Sequence, residues 1–278
     1  MFKLNPQILA HKSILDKGTF VLPNYILSKK ENKVKLLRRY CPHRQYPLHK
    51  PGDIIDSIQC NFHNFKWNID GSPINNDRNL NCGEIKISQT GLITRDFVET
   101  ENIWTSMLAS EKNLKYSHST YGISSGSWLW MMEIQCDLLH IYQGPNSIHP
   151  TFSKETNLDQ VEMYEGDGYA LQTTSTGWWL LIFPYTFIEW SPGCLAINYT
   201  IPKNNNEEFG FEWTTQFYYD LLTTDSKKRN FETLEEVFLE DVAAIEQQKV
   251  PYFPLLKTDN RLEKHCVTFG EWVLKNKK

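Results

Sequence analysis

Cys41, His43, Cys60 and His63 are the residues whose types and spacing are best suited to chemistry. They occur as Cys-Pro-His and, after sixteen intervening residues, as Cys-Asn-Phe-His. Each short segment offers one thiolate and one imidazole, a donor set that suits zinc or iron. A Cys₂His₂ zinc site usually runs as a Cys pair followed by a His pair. A two-iron, two-sulfide cluster with two Cys on one iron and two His on the other needs the mixed pairs found here. Such a cluster moves one electron at a time, so the rest of the chain must supply an acceptor.

A second set of candidates lies in the middle of the chain. Glu133, Asp137 and His140 stand at i, i+4 and i+7, the spacing of one helical face. The stretch from Met131 to Ile141 reads as a helix ended by Gly144-Pro145. Met131, Met132, Ile134, Leu138 and Leu139 make it apolar around most of its circumference, which implies burial. A carboxylate one turn from a His can orient the imidazole at a metal; a solvated polar face is the plain alternative. Leu234 to Gln248 reads as an amphipathic helix whose apolar stripe runs Leu234, Phe238, position 241 and Ile245, and position 241 is Asp. A carboxylate there costs several kcal/mol, on the order of 3, unless it is paired or metal-bound. His149 follows His140 after the Gly-Pro break, while His118 and His265 compete with it as ligands. His11 and His49 read as surface or loop residues.

The stretch Tyr40-Cys41-Pro42-His43-Arg44, with Cys60-Asn61-Phe62-His63 and Trp67, resembles the cluster loops of the Rieske non-haem iron oxygenases, in their catalytic (alpha) subunit. Pro42 and Phe62 stand where respiratory Rieske proteins carry an extra Cys in each loop, and Asn64 stands where the family usually has Gly. Trp128, Glu133, Asp137 and His140 fall on a further motif of that family. The resemblance implies a [2Fe–2S] cluster on Cys41, His43, Cys60 and His63. It implies His140, His149 and Asp241 as ligands of a mononuclear Fe(II), with O₂ as co-substrate. It implies Asp137, with Glu133 nearby, as catalytic carboxylates, and Asp137 as the bridge from His140 to a cluster His, His63, of a neighbouring subunit in a head-to-tail homotrimer. The activity implied is reductase- or ferredoxin-dependent hydroxylation or demethylation of a small organic substrate, as a mono- or dioxygenase. A non-catalytic Rieske electron carrier with a vestigial iron site is the alternative. The family's second His normally follows the first after about four residues, but here Pro145 occupies that place. In a continuous helix, positions nine apart would lie about 13 Å apart along the axis, so the Gly-Pro break must bring His149 back.

Elements to position these residues are legible. Residues 8–100 read as short strands punctuated by Gly18, Gly52, Gly71 and Gly91. Longer aromatic strands follow: Gly177 to Trp190, Cys194 to Ile201, and Phe209 to Tyr219, the last two flanking an Asn-rich hairpin tip. The expected architecture is α+β: an all-β Rieske domain over 1–110, then a catalytic domain over 111–278 with an antiparallel sheet flanked by helices, helix-grip-like. The chain has 278 residues, 40% of them hydrophobic, enough for a sizeable core. A formal charge of −4 without a basic block argues against nucleic acid or an anionic membrane as partner. Neither a membrane span nor a signal peptide is legible, and Cys82, Cys136, Cys194 and Cys266 read as reduced thiols of a cytoplasmic protein.

Overall fold

Strands form wherever β-branched and aromatic residues alternate between two faces, and that pattern covers most of this chain. The structure, a computed structural model, describes residues 7–31, 33–88, 91–95, 113–142, 148–149, 160–166, 168–203 and 207–276. The expected division near 110, the Gly144-Pro145 break and the Asn-rich hairpin tip at 204–206 lie outside the described residues.

The first part is all β. A five-stranded sheet runs in the order β5 (Ile54–Ile55), β2 (Thr19–Val21), β3 (Tyr25–Lys30), β4 (Lys33–Arg38) and β8 (Asn81–Glu84). β6 (Ile58–Gln59) and β7 (Lys66–Trp67) form a hairpin, and β1 (Gln7–His11), β10 (Leu92–Arg95) and β9 (Lys86–Ile87) a three-stranded sheet.

The second part is a seven-stranded antiparallel sheet ordered β11 (Lys115–Ser127), β17 (Phe209–Tyr219), β16 (Cys194–Pro202), β15 (Thr186–Ser191), β14 (Trp178–Ile182), β13 (Tyr169–Thr173) and β12 (Glu162–Gly166). The expected single strand from Gly177 to Trp190 is instead the β14–β15 hairpin, turned at Phe183-Pro184. Proline cannot donate to a ladder, so the strand ends there.

Among the described residues three α-helices pack with these sheets: α1 (Trp128–Ile134), α2 (Asp225–Gln247) and α3 (Lys264–Asn276). Leu171, Leu180, Ile188, Leu195 and Tyr199 face Ile8, Leu9, Phe20 and Ile93 of the first part. On the other face Ala170, Leu181, Phe187 and Phe211 meet Trp128, Phe238, Ile245 and Phe269 from the helices. Each of the Leu, Ile and Phe side chains contributes about 1.5–3 kcal/mol on full burial. Among the described residues no helix is long and apolar enough to cross a membrane.

The two parts are also tied by charge. Arg39, two residues before Cys41, pairs with Glu212 of β17 at 2.8 Å, with side chains 6% and 8% exposed. Its Nε donates to the His49 carbonyl, and the Nη1 that meets Glu212 also donates toward the Pro23 carbonyl and the Tyr40 hydroxyl. Removing one partner of such a pair leaves a buried charge uncompensated. Arg39→Met should therefore cost about 3–5 kcal/mol, read as a fall in the thermal midpoint. Arg39→Met with Glu212→Leu should recover most of that loss.

The helix expected over Met131–Ile141 is shorter than its spacing suggests. α1 stops at Ile134, where Cys136 and Asp137 amides bond three residues back, to the Glu133 and Ile134 carbonyls. The Asp137 carboxylate then accepts the Leu139 amide at 2.7 Å, and Leu138 N–H donates to Leu262 O. A short polar side chain that captures its own backbone competes with helix. His140 therefore begins a separate 3₁₀ turn, His140–Tyr142, and Glu133, Asp137 and His140 do not share one helical face.

Candidate metal centres

The two cluster segments fold alike. In the first, Gln45 N–H donates to Cys41 O and Cys41 N–H to Tyr46 O, each at 2.8 Å. In the second, Asn64 N–H donates to Cys60 O and Cys60 N–H to Phe65 O, again at 2.8 Å. Gln45 and Asn64 both occupy the left-handed region, at φ 55° and 56°. Asn tolerates that conformation well, so Asn64 in place of the family's Gly keeps the loop shape. Cys41 and Cys60 are buried at the base, and at the tip His43 is half-buried and His63 exposed. The two imidazoles approach with Nδ1 atoms 3.2 Å apart. Two nitrogens held by one metal at about 2.1 Å and a tetrahedral angle sit about 3.4 Å apart, so this pair fits a single iron. Burial, with His63, Arg44 and Arg78 nearby, lowers the His43 pKa, which favours the neutral form a metal requires. Burial pushes the Cys41 thiol up, with Cys60 beside it, an effect that cluster iron would reverse.

A second constellation lies beneath α2. His140, His149 and Asp241 each bring one donor atom within 4.8 Å of the others. Asp241 Oδ1 is 2.8 Å from His149 Nε2 and 3.5 Å from His140 Nε2. Donors at right angles on one metal, each at about 2.1 Å, would be about 3 Å apart. The other oxygen, Asp241 Oδ2, accepts Gln135 Nε2 at 3.1 Å. On the far side of each ring stands a carboxylate: Glu240 at 2.7 Å from His149 Nδ1, and Asp137 at 3.6 Å from His140 Nδ1. Carboxylates so placed fix ring orientation and raise basicity. Burial opposes charge on His140, but Asp137 and Asp241 outweigh it and hold the imidazole up at about 9. Burial would likewise raise Asp241, yet the two imidazoles hold it below its ordinary value. The protons these two imidazoles hold are what a divalent ion would displace. Two imidazoles and one carboxylate on one side of a metal leave positions open, the donor set of non-haem iron(II).

A family model for the Rieske [2Fe–2S] domain matches residues 6–86. No curated protein matches the chain. Among solved structures, the quaternary ammonium Rieske monooxygenase CntA with L-carnitine aligns with a TM-score of 0.66 at 16% identity, over 97% of this chain and 88% of that one. The chain has the fold of a Rieske non-haem iron oxygenase catalytic subunit. NdmA of Pseudomonas putida matches with a TM-score of 0.54 at 16% identity, covering 97% of this chain and 88% of that one. Dicamba monooxygenase matches with 0.53 at 13% identity, covering 98% and 96%. Another structure of the quaternary ammonium enzyme, at 16% identity, bears on carnitine oxidation and inter-subunit electron transfer in that protein.

Within this Rieske oxygenase fold, the expected residues divide. His149 joins His140 and Asp241 although it follows at an unusual distance. Glu133 is buried, but its carboxylate accepts the Tyr252 hydroxyl, and burial pushes it up to about 7. His265 is buried on α3 beside Gln172, and burial pulls it down to about 4. His118 stacks on Phe217 with ring centroids 4.8 Å apart. Contrary to its reading as a surface residue, His11 is buried, edge-on to Tyr218. His49 is partly buried. Cys136, Cys194 and Cys266 are buried thiols outside any disulfide, and Cys82 is partly exposed. Two participants were missed. Glu240 carried a signal in its adjacency to Asp241, whereas Gln135 reaches Asp241 only because α1 ends where it does. Glu240→Ala should weaken iron(II) binding about 10–100-fold, measured by chelator competition with the cluster spectrum as internal control.

Proposed function

We propose that the protein is an iron-dependent oxygenase that hydroxylates or demethylates a small organic substrate with electrons delivered by a reductase or ferredoxin. The observation that carries this reading is the convergence of His140, His149 and Asp241 at the edge of a cavity lined by Ile134, Leu138, Trp179 and Phe187. When bound, the cluster supplies electrons singly and the iron(II) activates dioxygen. Cys41, His43, Cys60 and His63 would hold the cluster, in a domain spanning 1–110. His140, His149 and Asp241 would hold the iron, in a domain spanning 111–278. Gln135, Glu240 and Asp137 orient those ligands, and the apolar walls exclude water. Asp137, with its side chain 25% exposed beside the buried triad, is where a cluster His of a neighbouring subunit would hand over its electron. That role implies a ring of subunits, most simply a homotrimer.

Iron content tests the proposal. After anaerobic ferrous reconstitution an oxygenase holds one iron per chain beyond the two of its cluster. Material that shows the cluster spectrum and binds no further iron is an electron carrier, and the proposal falls.

A further inference from the structure

Charge is divided unevenly along this chain. Residues 1–110 carry 15 Lys and Arg against 10 Asp and Glu, whereas residues 111–278 carry 14 against 23. The cationic excess belongs to the part that bears the cluster loops. Three of those cations, Arg44, Lys66 and Arg78, stand around the tip where the two loops meet.

Arg44 directly follows His43, and Lys66 closes the second loop after Phe65; both are exposed. Neither side chain has a hydrogen bond or ion pair among the described residues. Arg78 arrives from further along the chain and is held in place. Trp67 Nε1 donates to its carbonyl, and its own amide donates to Asn76 Oδ1 at 2.9 Å. Its Nη1 donates to the Pro42 carbonyl at 3.0 Å, which sets a guanidinium beside the residue before His43. Asp77 lies 3.7 Å from Arg78 Nε and is 95% exposed, so it offsets one of the three charges and leaves the rim positive.

The surroundings of His63 differ. Phe62 lies edge-on to His63 with ring centroids 4.4 Å apart, and it stacks on Tyr46 at 5.7 Å. These two rings are 58% and 42% exposed. An exposed aromatic pair suits a lasting contact between subunits, whose centre is rich in aromatic side chains and poor in charge. A rim of cations suits a brief electron-transfer encounter, which buries little area and relies on charge for its rate and orientation. The tip presents charge beside one imidazole and apolar rings beside the other.

We infer that an acidic one-electron carrier protein docks on the His43 side of the tip, attracted and oriented by Arg44, Lys66 and Arg78, and that the His63 side is left to the neighbouring subunit. The carrier gives up one electron and the cluster gains it, with no bond made or broken. The inference rests on the oxygenase reading only for the use of the His63 side; docking beside His43 does not need the lone iron.

The test titrates holoenzyme with a plant-type [2Fe–2S] ferredoxin, a small protein of strongly negative surface. Its Kd should rise at least about tenfold between about 20 mM and about 500 mM salt. Arg44→Glu with Lys66→Glu should weaken binding at low salt by at least about tenfold, with the cluster spectrum and thermal midpoint retained. Stopped-flow reduction of the cluster should slow by the same factor with ferredoxin and stay unchanged with photoreduced deazaflavin, an uncharged donor. No binding at low salt, an affinity indifferent to salt, or full affinity in the doubly reversed variant would each overturn the inference. So would dissociation of that variant's oligomer in sedimentation, which would assign these charges to the contact between copies. The salt dependence of the wild type decides even if the variant does not fold. Iron analysis on the same sample keeps the two readings apart. Salt-dependent docking without the lone iron refutes the oxygenase and leaves this inference standing, and the lone iron with salt-indifferent docking does the reverse.

Discussion

Replacing His140 with alanine should abolish turnover while leaving the visible spectrum of the cluster unchanged. His140 closes the triad from the 3₁₀ turn after α1, with Nε2 3.5 Å from Asp241 Oδ1. Its loss leaves one imidazole and one carboxylate, too few donors to hold iron(II) in a defined geometry. A metal centre contributes several kcal/mol to the barrier, so turnover should fall by at least about a thousandfold. The cluster ligands lie in different loops, on the β sheets of the first part, and do not depend on this ring. Metal analysis should accordingly find the lone iron missing and the cluster pair present. Loss of the cluster signal in this variant would contradict the assignment of two separate centres.

Asp137→Asn should retain both centres and slow the passage of electrons between them. The substitution is nearly isosteric, so its Oδ1 can still accept the Leu139 amide and the turn before His140 should persist. What disappears is the negative charge 3.6 Å from His140 Nδ1. With it goes the acceptor that would orient that ring and receive a donor from a neighbouring subunit's imidazole. Removing such an outer partner typically costs 10–100-fold, and a slowing of about 100-fold is expected here. Stopped-flow absorbance of cluster reoxidation in a single turnover reads it directly. An unchanged rate, with iron occupancy also unchanged, would remove Asp137 from the route.

The cluster was legible because its ligands are local. Cys41 with His43, and Cys60 with His63, are each held by a tight loop closed by its own backbone hydrogen bonds, so composition and spacing carry the geometry. Asp241 was legible as a charge on an apolar helical stripe, and the α+β architecture followed from strand alternation giving way to longer helices. Helical periodicity misled between Glu133 and His140, because spacing says which residues would share a face only if the helix continues. Whether it continues was decided by the Asp137 side chain and by Leu262, far away in sequence. His149 belongs to the triad through Asp241 and Glu240, some ninety positions further on, with contacts separated by 92 and 91 residues. Local order along the chain therefore determined which side chains could bind metal. Folding alone decided which of them meet, because that depends on the balance of hydrogen bonds and packing between segments that spacing cannot relate.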